Sequence, residues 1–338
     1  MTVDAVTKKS GQTMQKKFRV AIRDTLAEEM RRDPKIILMG QDIGLSNGLF
    51  RLTEGLFDEF GGERVRDTPI SETATVGAAI GMAIEGYRPV VEIAFSDLML
   101  SCFDPITNQL AKIPYMFGKQ APVLPVVIRA LTGAGLGVGA HHSQSIEALF
   151  AHMPGLDVLM PGTPRDAAGL LRSALRGNRP TIFLEHKMLL RDRGPVPDGD
   201  VLTPIGQAEI AREGSDLTIV GFALTRKYSL QAAEILSERG ISAEVIDLRT
   251  VAPIDYTTVI ASVARTGRLL VAQEGYRPQG IGAEVIAGVA ASRACTTLKA
   301  PMRRVTPPFA PIPALKVLEE AYLPSAENIA AMAELMMN

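Results

Sequence analysis

The sequence predicts an α/β protein of two domains, each built on a mostly parallel sheet covered by helices. Three observations carry that prediction. Apolar runs of strand length alternate with segments of helical period along the chain. The strand runs are continuously apolar, as strands buried on both faces require. A stretch rich in proline, glycine and charge, "MLLRDRGPVPDGDVLTPI" (188–205), separates two such patterns and reads as a linker. A chain of 338 residues is long enough for two domains.

The elements follow in order. Residues 1–16 have no hydrophobic core and read as a disordered arm rather than a secretory signal, with a mitochondrial transit segment as the lesser alternative. The first domain is expected over 17–187. "FRVAIRDTLAEEMRRDP" (18–34) has helical spacing and stops at Asp33-Pro34. "KIILMG" (35–40) is a short buried strand, "SETATVGAAIGMAIEGYRP" (71–89) is helical to about Glu85, and "PVVEIAF" (89–95) is a strand. "DLMLSCFDPITNQLAKIPYMF" (97–117) reads as a helix kinked at Pro105. A strand at 122–130, a helix at 143–153, a strand at 157–162, a helix at 163–177 and a strand at 180–186 complete the domain. The smaller second domain, 206–338, has strands at 216–223, 242–250, 268–274 and 301–307, helices at 226–239 and 282–293, and two C-terminal helical pieces.

Composition excludes several functions. The 36 basic and 37 acidic residues leave a net charge of −1, so neither nucleic acid nor an anionic membrane is an expected partner. Cys102 and Cys295 stand far apart in apolar surroundings, and His141, His142, His152 and His186 show no metal-ligand spacing; no metal site is expected in this chain. No apolar run reaches membrane-spanning length, and a cytoplasmic protein is expected.

Two stretches carry chemistry. "GAGLGVGAHHSQS" (133–145) includes the weak dinucleotide pattern G-x-G-x-x-A after a strand. A dinucleotide site needs a helix opening within the glycines, so that its N-terminus meets the pyrophosphate. Here the helical signal begins only at Ser143, and the acid at suitable spacing, Asp157, starts its strand at the wrong edge of the sheet. What remains is a glycine-rich bend at the carboxyl end of a strand, where open α/β sheets bind ligands. A histidine there is a candidate for proton transfer near neutral pH. The second stretch is "RDTPISETATVGAAIGMA" (66–83). Ser71 is placed to cap the helix, with Glu72 in its first turn. Glu72 is at least an acid that complements the helix dipole. The small residues Ala74, Gly77, Ala78, Gly81 and Ala83 that follow suit close approach of another backbone, such as that of another subunit, which would leave Glu72 desolvated and able to share a proton.

The ordered motifs "DTPISE", "FD..TNQ.AK..YM.G", "AHHSQS", "HMPGLDVLMPGTP", "FLEHK", "EVIDLRTVAPID", "EGYR..GIGAEV" and "RVTPPFAPIP" resemble the β subunit of the thiamine-diphosphate-dependent first component of 2-oxoacid dehydrogenase complexes, over roughly residues 17–335. "AEEMRRDPKIILMGQDIG", "AKIPYMFG" and "FLEHK" look most like the acetoin dehydrogenase members, with pyruvate and branched-chain types open. The resemblance implies a pyrimidine-binding-type first domain and a transketolase-type second domain. It implies an α₂β₂ heterotetramer in which the α subunit holds the diphosphate and Mg²⁺. It also implies a lipoyl acyltransferase core as partner, and acetoin, a related ketone or a 2-oxoacid as substrate. Ile70 and Glu72 match pyrimidine-contacting positions, Glu72 bonding ring nitrogen N1′ so that the 4′ nitrogen removes the thiazolium proton. His142 matches the active-site histidine and is preferred to His141. Phe95 matches an aromatic of acetoin-type members, whereas Leu98 stands where many members stack an aromatic on the pyrimidine. Gly177 and Arg179 replace an Asp and an Asn that bind a structural monovalent cation in pyruvate-type members, so a guanidinium is expected to replace that ion's charge. The function expected is cleavage of a C–C bond beside a carbonyl with acyl transfer to lipoamide. A non-catalytic assembly subunit and a stand-alone transketolase-like enzyme are the alternatives.

Overall fold

The computed structural model describes residues 13–337. Fourteen strands appear among them: β1 (Thr13–Lys17), β2 (Ile36–Gly40), β3 (Val65–Asp67), β4 (Arg88–Phe95), β5 (Val127–Thr132), β6 (Asp157–Leu159), β7 (Thr181–His186), β8 (Arg193–Pro197), β9 (Glu209–Arg212), β10 (Leu217–Gly221), β11 (Ala243–Asp247), β12 (Thr250–Ala252), β13 (Leu269–Ala272) and β14 (Arg303–Val305). The α-helices are α1 (Phe18–Arg32), α2 (Leu56–Phe60), α3 (Glu72–Ile84), α4 (Ile113–Met116), α5 (Glu147–Ala151), α6 (Pro164–Arg176), α7 (Leu224–Glu238), α8 (Tyr256–Thr266), α9 (Ile281–Ala290), α10 (Lys316–Tyr322) and α11 (Ala326–Leu335). A seven-stranded sheet runs β12-β6-β7-β5-β4-β2-β3, and a five-stranded sheet runs β14-β13-β10-β11-β9. Both are parallel except for one antiparallel edge strand each, β12 and β9. Burial is the reason: β2, β5 and β7, apolar along most of their length, are buried at every position, which only a sheet covered on both faces allows.

Several elements depart from expectation. Residues 1–12 of the expected disordered arm lie outside the described residues, but 13–16 belong to β1, which pairs antiparallel with β8 inside the expected linker. Side-chain polarity hid this pair, because backbone groups need partners whatever side chains they carry. The strand expected at 242–250 divides. It leaves the second sheet after Asp247, turns at Arg249 (φ 60°), and Thr250–Ala252 then adds to the edge of the first sheet. The helix expected at 97–117 is a 3-10 turn (Ser96–Cys102), a π-helical turn (Pro105–Leu110) and the short α4. Pro105 has no N–H to donate and opens the π-helical turn. The helix expected at 143–153 shortens to α5 because Gln144 is held elsewhere, by Asp97.

One ionic triad lies in the middle of the first sheet. Arg129 of β5 donates Nε–H to Glu185 of β7 at 2.7 Å and Nη1–H to Glu92 of β4 at 2.9 Å, all three being buried. Burial holds both carboxyls above their ordinary range, and the guanidinium offsets this only in part. Deleting one partner of such a group leaves uncompensated buried charge. Arg129→Met is expected to lower unfolding stability by about 3–5 kcal/mol in chemical denaturation. A loss below about 1 kcal/mol, the range of a surface pair, would show that the triad does not bear on the sheet.

Candidate active site

The parallel strands of the first sheet all deliver their next residues to one edge. Gln41 follows β2, Pro69–Glu72 come shortly after β3, Phe95 ends β4, Gly133 follows β5, and His186-Lys187 close β7. The residues singled out from sequence lie along this edge.

Glu72 opens α3 and is half-buried. Gln41 Nε2–H donates to its Oε1 at 3.3 Å, and Ser101 Oγ–H reaches its Oε2 at 3.2 Å. Ser101 Oγ also lies 2.8 Å from the carbonyl oxygen of Leu98, so the Leu98 turn and the Glu72 carboxylate share one contact. Ser71 occupies the cap position but makes no side-chain cap bond, leaving the first-turn N–H groups of α3 unblocked by it. Ile70 is 83% exposed just before the helix. The outer face of α3, Thr73, Ala74, Gly77, Ala78 and Gly81, is exposed too. A Cβ at Gly77 or Gly81 would meet nothing within 4 Å, so no packing inside this chain demands glycine there.

The glycine loop is built differently from a phosphate cradle. Its ends meet at one acceptor. The Gln144 carbonyl receives Gly133 N–H (3.3 Å), Thr132 Oγ1–H (3.1 Å) and Ser96 Oγ–H (3.2 Å). Asp97 Oδ1 accepts both the backbone N–H and the side-chain amide of Gln144. The loop's own N–H groups are taken by carboxylates of the C-terminal part of the chain. Ala134 N–H donates to Glu274 Oε1 at 2.6 Å, and Gly137 N–H to Glu319 Oε2 at 2.7 Å. Gly133 has φ 84°, and a Cβ on it would lie 2.0 Å from His186 Nε2, so glycine is required there for backbone shape and for space.

His186 Nδ1 accepts Met188 N–H at 3.2 Å, which sets the tautomer: Nε2 carries the hydrogen and donates to Glu274 Oε2 at 2.7 Å. Burial works to raise the Glu274 carboxyl, yet His186, Ala134 N–H and Lys187 outweigh it and leave it below the ordinary range.

His142 is half-buried, whereas His141 is exposed. The His142 ring meets Phe95 edge-on, centroids 4.8 Å apart at 87°. Among the described residues neither of its ring nitrogens has a hydrogen-bond partner, so both are open to a ligand. Lys187 Nζ–H donates to the His142 carbonyl oxygen and lies 5.2 Å from the Phe95 ring centroid. The edge therefore gathers Phe95, His142 and Lys187 in one contact set and Glu72, Ser101 and Leu98 in another, linked by the turn that follows β4. Sequence reasoning missed Gln41, Asp97, Ser101, Lys187, Glu274 and Glu319. A signal did exist for Lys187 and Glu274: each is a charged residue just past a strand buried at every position.

At the opposite edge a cavity of about 570 Å³ is lined by His152, Asp157, Gly177 and Arg179. Arg179 Nε–H reaches both oxygens of Asp157, at 2.9 and 3.1 Å, so a guanidinium there neutralises a carboxylate of this chain.

The chain resembles known proteins along nearly its whole length. The transketolase pyrimidine-binding domain family matches residues 14–193, and the transketolase C-terminal domain family matches 206–329. The acetoin:2,6-dichlorophenolindophenol oxidoreductase subunit beta of Cupriavidus necator is 45% identical over 330 residues, 95% of this chain and 97% of that one. The pyruvate dehydrogenase E1 component subunit beta of Bacillus subtilis is 42% identical, covering 91% of this chain and 94% of its own. The 2-oxoisovalerate dehydrogenase subunit beta of the same organism is 40% identical, covering 93% and 97%. Among solved structures, a split-gene transketolase described as an inactive beta4 tetramer superposes with a TM-score of 0.77 at 24% identity, over 95% of this chain and 98% of that one, a likeness of fold. No helix among the described residues is long and apolar enough to cross a membrane.

One buried acid behind the loop has no hydrogen-bond partner on either oxygen among the described residues. It is Glu147, in the first turn of α5. Burial foremost, with Glu274 nearby, pushes its carboxyl from 4.5 up to about 7. The folded state then keeps a proton that the unfolded chain has released, so stability falls as pH rises from about 4.5 through about 7. Glu147→Gln removes that titration. It is expected to match the wild type near pH 4.5 and to exceed it at pH 8 by on the order of 3 kcal/mol, read from denaturation at both pH values. A wild type equally or more stable at pH 8 would contradict an unpartnered carboxylate at this position.

Proposed function

The chain belongs to the family of β subunits of the thiamine-diphosphate-dependent first component of acetoin and 2-oxoacid dehydrogenase complexes, an oxidoreductase family with transketolase-type domains, and from that premise we propose what it does. It pairs with an α subunit as an α₂β₂ heterotetramer, cleaves acetoin beside its carbonyl, and passes the two-carbon unit to a lipoyl group on an acyltransferase core. The expected domain division, 17–187 and 206–338, goes with this reading. So does the division of the cofactor, with diphosphate and Mg²⁺ on the α subunit and the aminopyrimidine on this chain.

The observation that carries the reading is the Glu72 carboxylate, steadied by Gln41 and Ser101 at the edge that also bears Phe95 and His142. These residues suit the aminopyrimidine half of thiamine diphosphate: an oriented acid for a ring nitrogen, with the apolar Ile70, Phe95 and Leu98 for the ring. When bound, that cofactor supplies a thiazolium carbon that becomes a nucleophile toward carbonyl carbon. Glu72 shares a proton with pyrimidine N1′, for which a half-buried, hydrogen-bonded carboxyl is suited. Leu98 packs the ring less directionally than an aromatic would. His142, its ring nitrogens open, moves a proton at the substrate's oxygen. The exposed small-residue face of α3 beside Glu72 supports a close-packed partner chain covering the site.

Acetoin is preferred to pyruvate and 2-oxoisovalerate on the 45% identity of the Cupriavidus protein against 42% and 40%. Co-expression with the α chain is expected to give dye-linked oxidation of acetoin in excess of either 2-oxoacid; a preference for pyruvate or 2-oxoisovalerate would move the chain to that branch. In the same assembly Glu72→Ala is expected to slow exchange of the thiazolium proton by about 100-fold or more. Exchange at the wild-type rate would remove Glu72 from its role.

A further inference from the structure

Among the described residues Lys187 is the one buried lysine, 4% exposed. Burying an ammonium is costly unless charges and acceptors compensate it. Here the compensation comes from several elements. Asp97 of the turn after β4, Glu274 after β13 and Glu319 of α10 face it. Its Nζ–H groups also find the His142 carbonyl oxygen and the Phe95 ring. His186 is its chain neighbour. Lys17, Arg19, Arg51 and Arg191 line, with Lys187 and Leu136 of the loop, a cavity of about 540 Å³. The hydrogen bond to the His142 carbonyl oxygen directs the ammonium at the loop.

The loop's anchors show what this placement does. Ala134 and Gly137 are held by Glu274 and Glu319, and Gln144 is held by Asp97. Between them, residues 138–143 receive one side-chain hydrogen bond among the described residues, from Lys187 to the His142 carbonyl. The same ammonium sits by Phe95, whose ring fixes the His142 imidazole edge-on. Backbone and ring of one histidine are thus set by one cation.

We propose that Lys187 is the positioning residue of His142, tethering the distal half of the glycine loop and holding the Phe95–His142 pair, while taking no part in bond breaking. The proposal rests on the reading of His142 as a proton-transfer group. Burial pushes the Lys187 ammonium down to about 8, against the pull of Asp97, Glu274 and Glu319. The tether is therefore charged at pH 7 and weakens as pH rises through about 8, where the cation–π contact and the attraction to the three carboxylates are lost.

The test uses the full α₂β₂ assembly and the chain itself. Lys187→Met is expected to lower kcat for acetoin about 10- to 100-fold with KM little changed, the size expected for misplacing a reacting group, while thiazolium proton exchange stays near wild type. On the protein alone, diethyl pyrocarbonate is expected to modify His142 several-fold faster in K187M than in the wild type, with His152 at the opposite edge unchanged as the internal standard. Wild-type kcat together with wild-type His142 reactivity in K187M overturns the proposal. So does loss of thiazolium exchange in parallel with kcat, which would make Lys187 a general structural cation. Should K187M fail to fold, Lys187→Gln decides: with no ammonium to titrate, its kcat–pH profile is expected to lose the limb near pH 8, and an unchanged limb overturns the tether. Failure of the functional reading itself looks different. A wild-type assembly inactive on every ketone and 2-oxoacid, or an active His142→Ala assembly, removes the reaction assigned to the site, whereas the His142 reactivity difference is read without turnover.

Discussion

Glu274 belongs to the second α/β region, yet its carboxylate is bonded to groups of the first: Ala134 N–H on one oxygen and His186 Nε2–H on the other. The side chain is 9% exposed, so neither bond is much diluted by water. An almost buried carboxylate that lost these donors would carry an uncompensated charge, a penalty of several kcal/mol. Docking of the two domains and shaping of the glycine loop are therefore one event. The requirement reaches into the sequence at Gly133. His186 must lie where it meets Glu274, and in that place its ring leaves no room for a Cβ on residue 133. Glu319 repeats the arrangement on Gly137 with a residue of α10.

The same principle operates deeper in the junction. Arg249 reaches Asp166 and Glu209 at 3.0 Å each, and Arg226 reaches Asp247 at 3.0 Å. Carboxylate oxygens of Asp166, Glu209 and Asp247 lie within 4.8 Å of one another, a density of negative charge that the two guanidiniums offset. Arg249 is also the left-handed residue at which the chain turns from β11 toward β12 and joins the first sheet. Its conformation is unusual for a side chain with a Cβ, and the ion pairs on both sides hold it there. The domains are thus joined by shared strand, shared charge and a shared loop.

What could be read from the sequence follows from which signals are local. Buried parallel strands such as "KIILMG" announce themselves by apolar runs, and α3 by its period and its acidic first turn, so the α/β architecture was legible. Motif order marks Glu72, Phe95, Leu98 and His142, and the strand ends bring them to one edge, the placement on which their proposed roles rest. The β1–β8 pair was not legible, since two polar segments joined only through backbone groups leave no hydropathy signal. Nor was the division of 242–250, because nothing in "SAEVIDLRT" says that its last residue bonds to another sheet. Gln41, Asp97, Ser101 and Glu319 were missed for a different reason. Each is an ordinary polar residue in a loop, turn or short helix, and its meaning lies in a partner tens to hundreds of positions away.

Charge order along the edge explains why a lysine, and not an arginine, suits position 187. The glycine loop is surrounded by Asp97, Glu274 and Glu319, of which Glu274 and Glu319 accept backbone N–H groups and Asp97 holds Gln144. Backbone donors satisfy hydrogen bonds but do not cancel formal charge, so a compact cation is needed among the three carboxylates. A guanidinium is planar and wide and would compete for those same carboxylates through its fork. An ammonium has three donors around one atom, small enough to stand between a carbonyl oxygen and an aromatic face. Its charge is also labile where burial is deep, unlike that of arginine. The geometry of His142 is therefore tied to a proton that can leave.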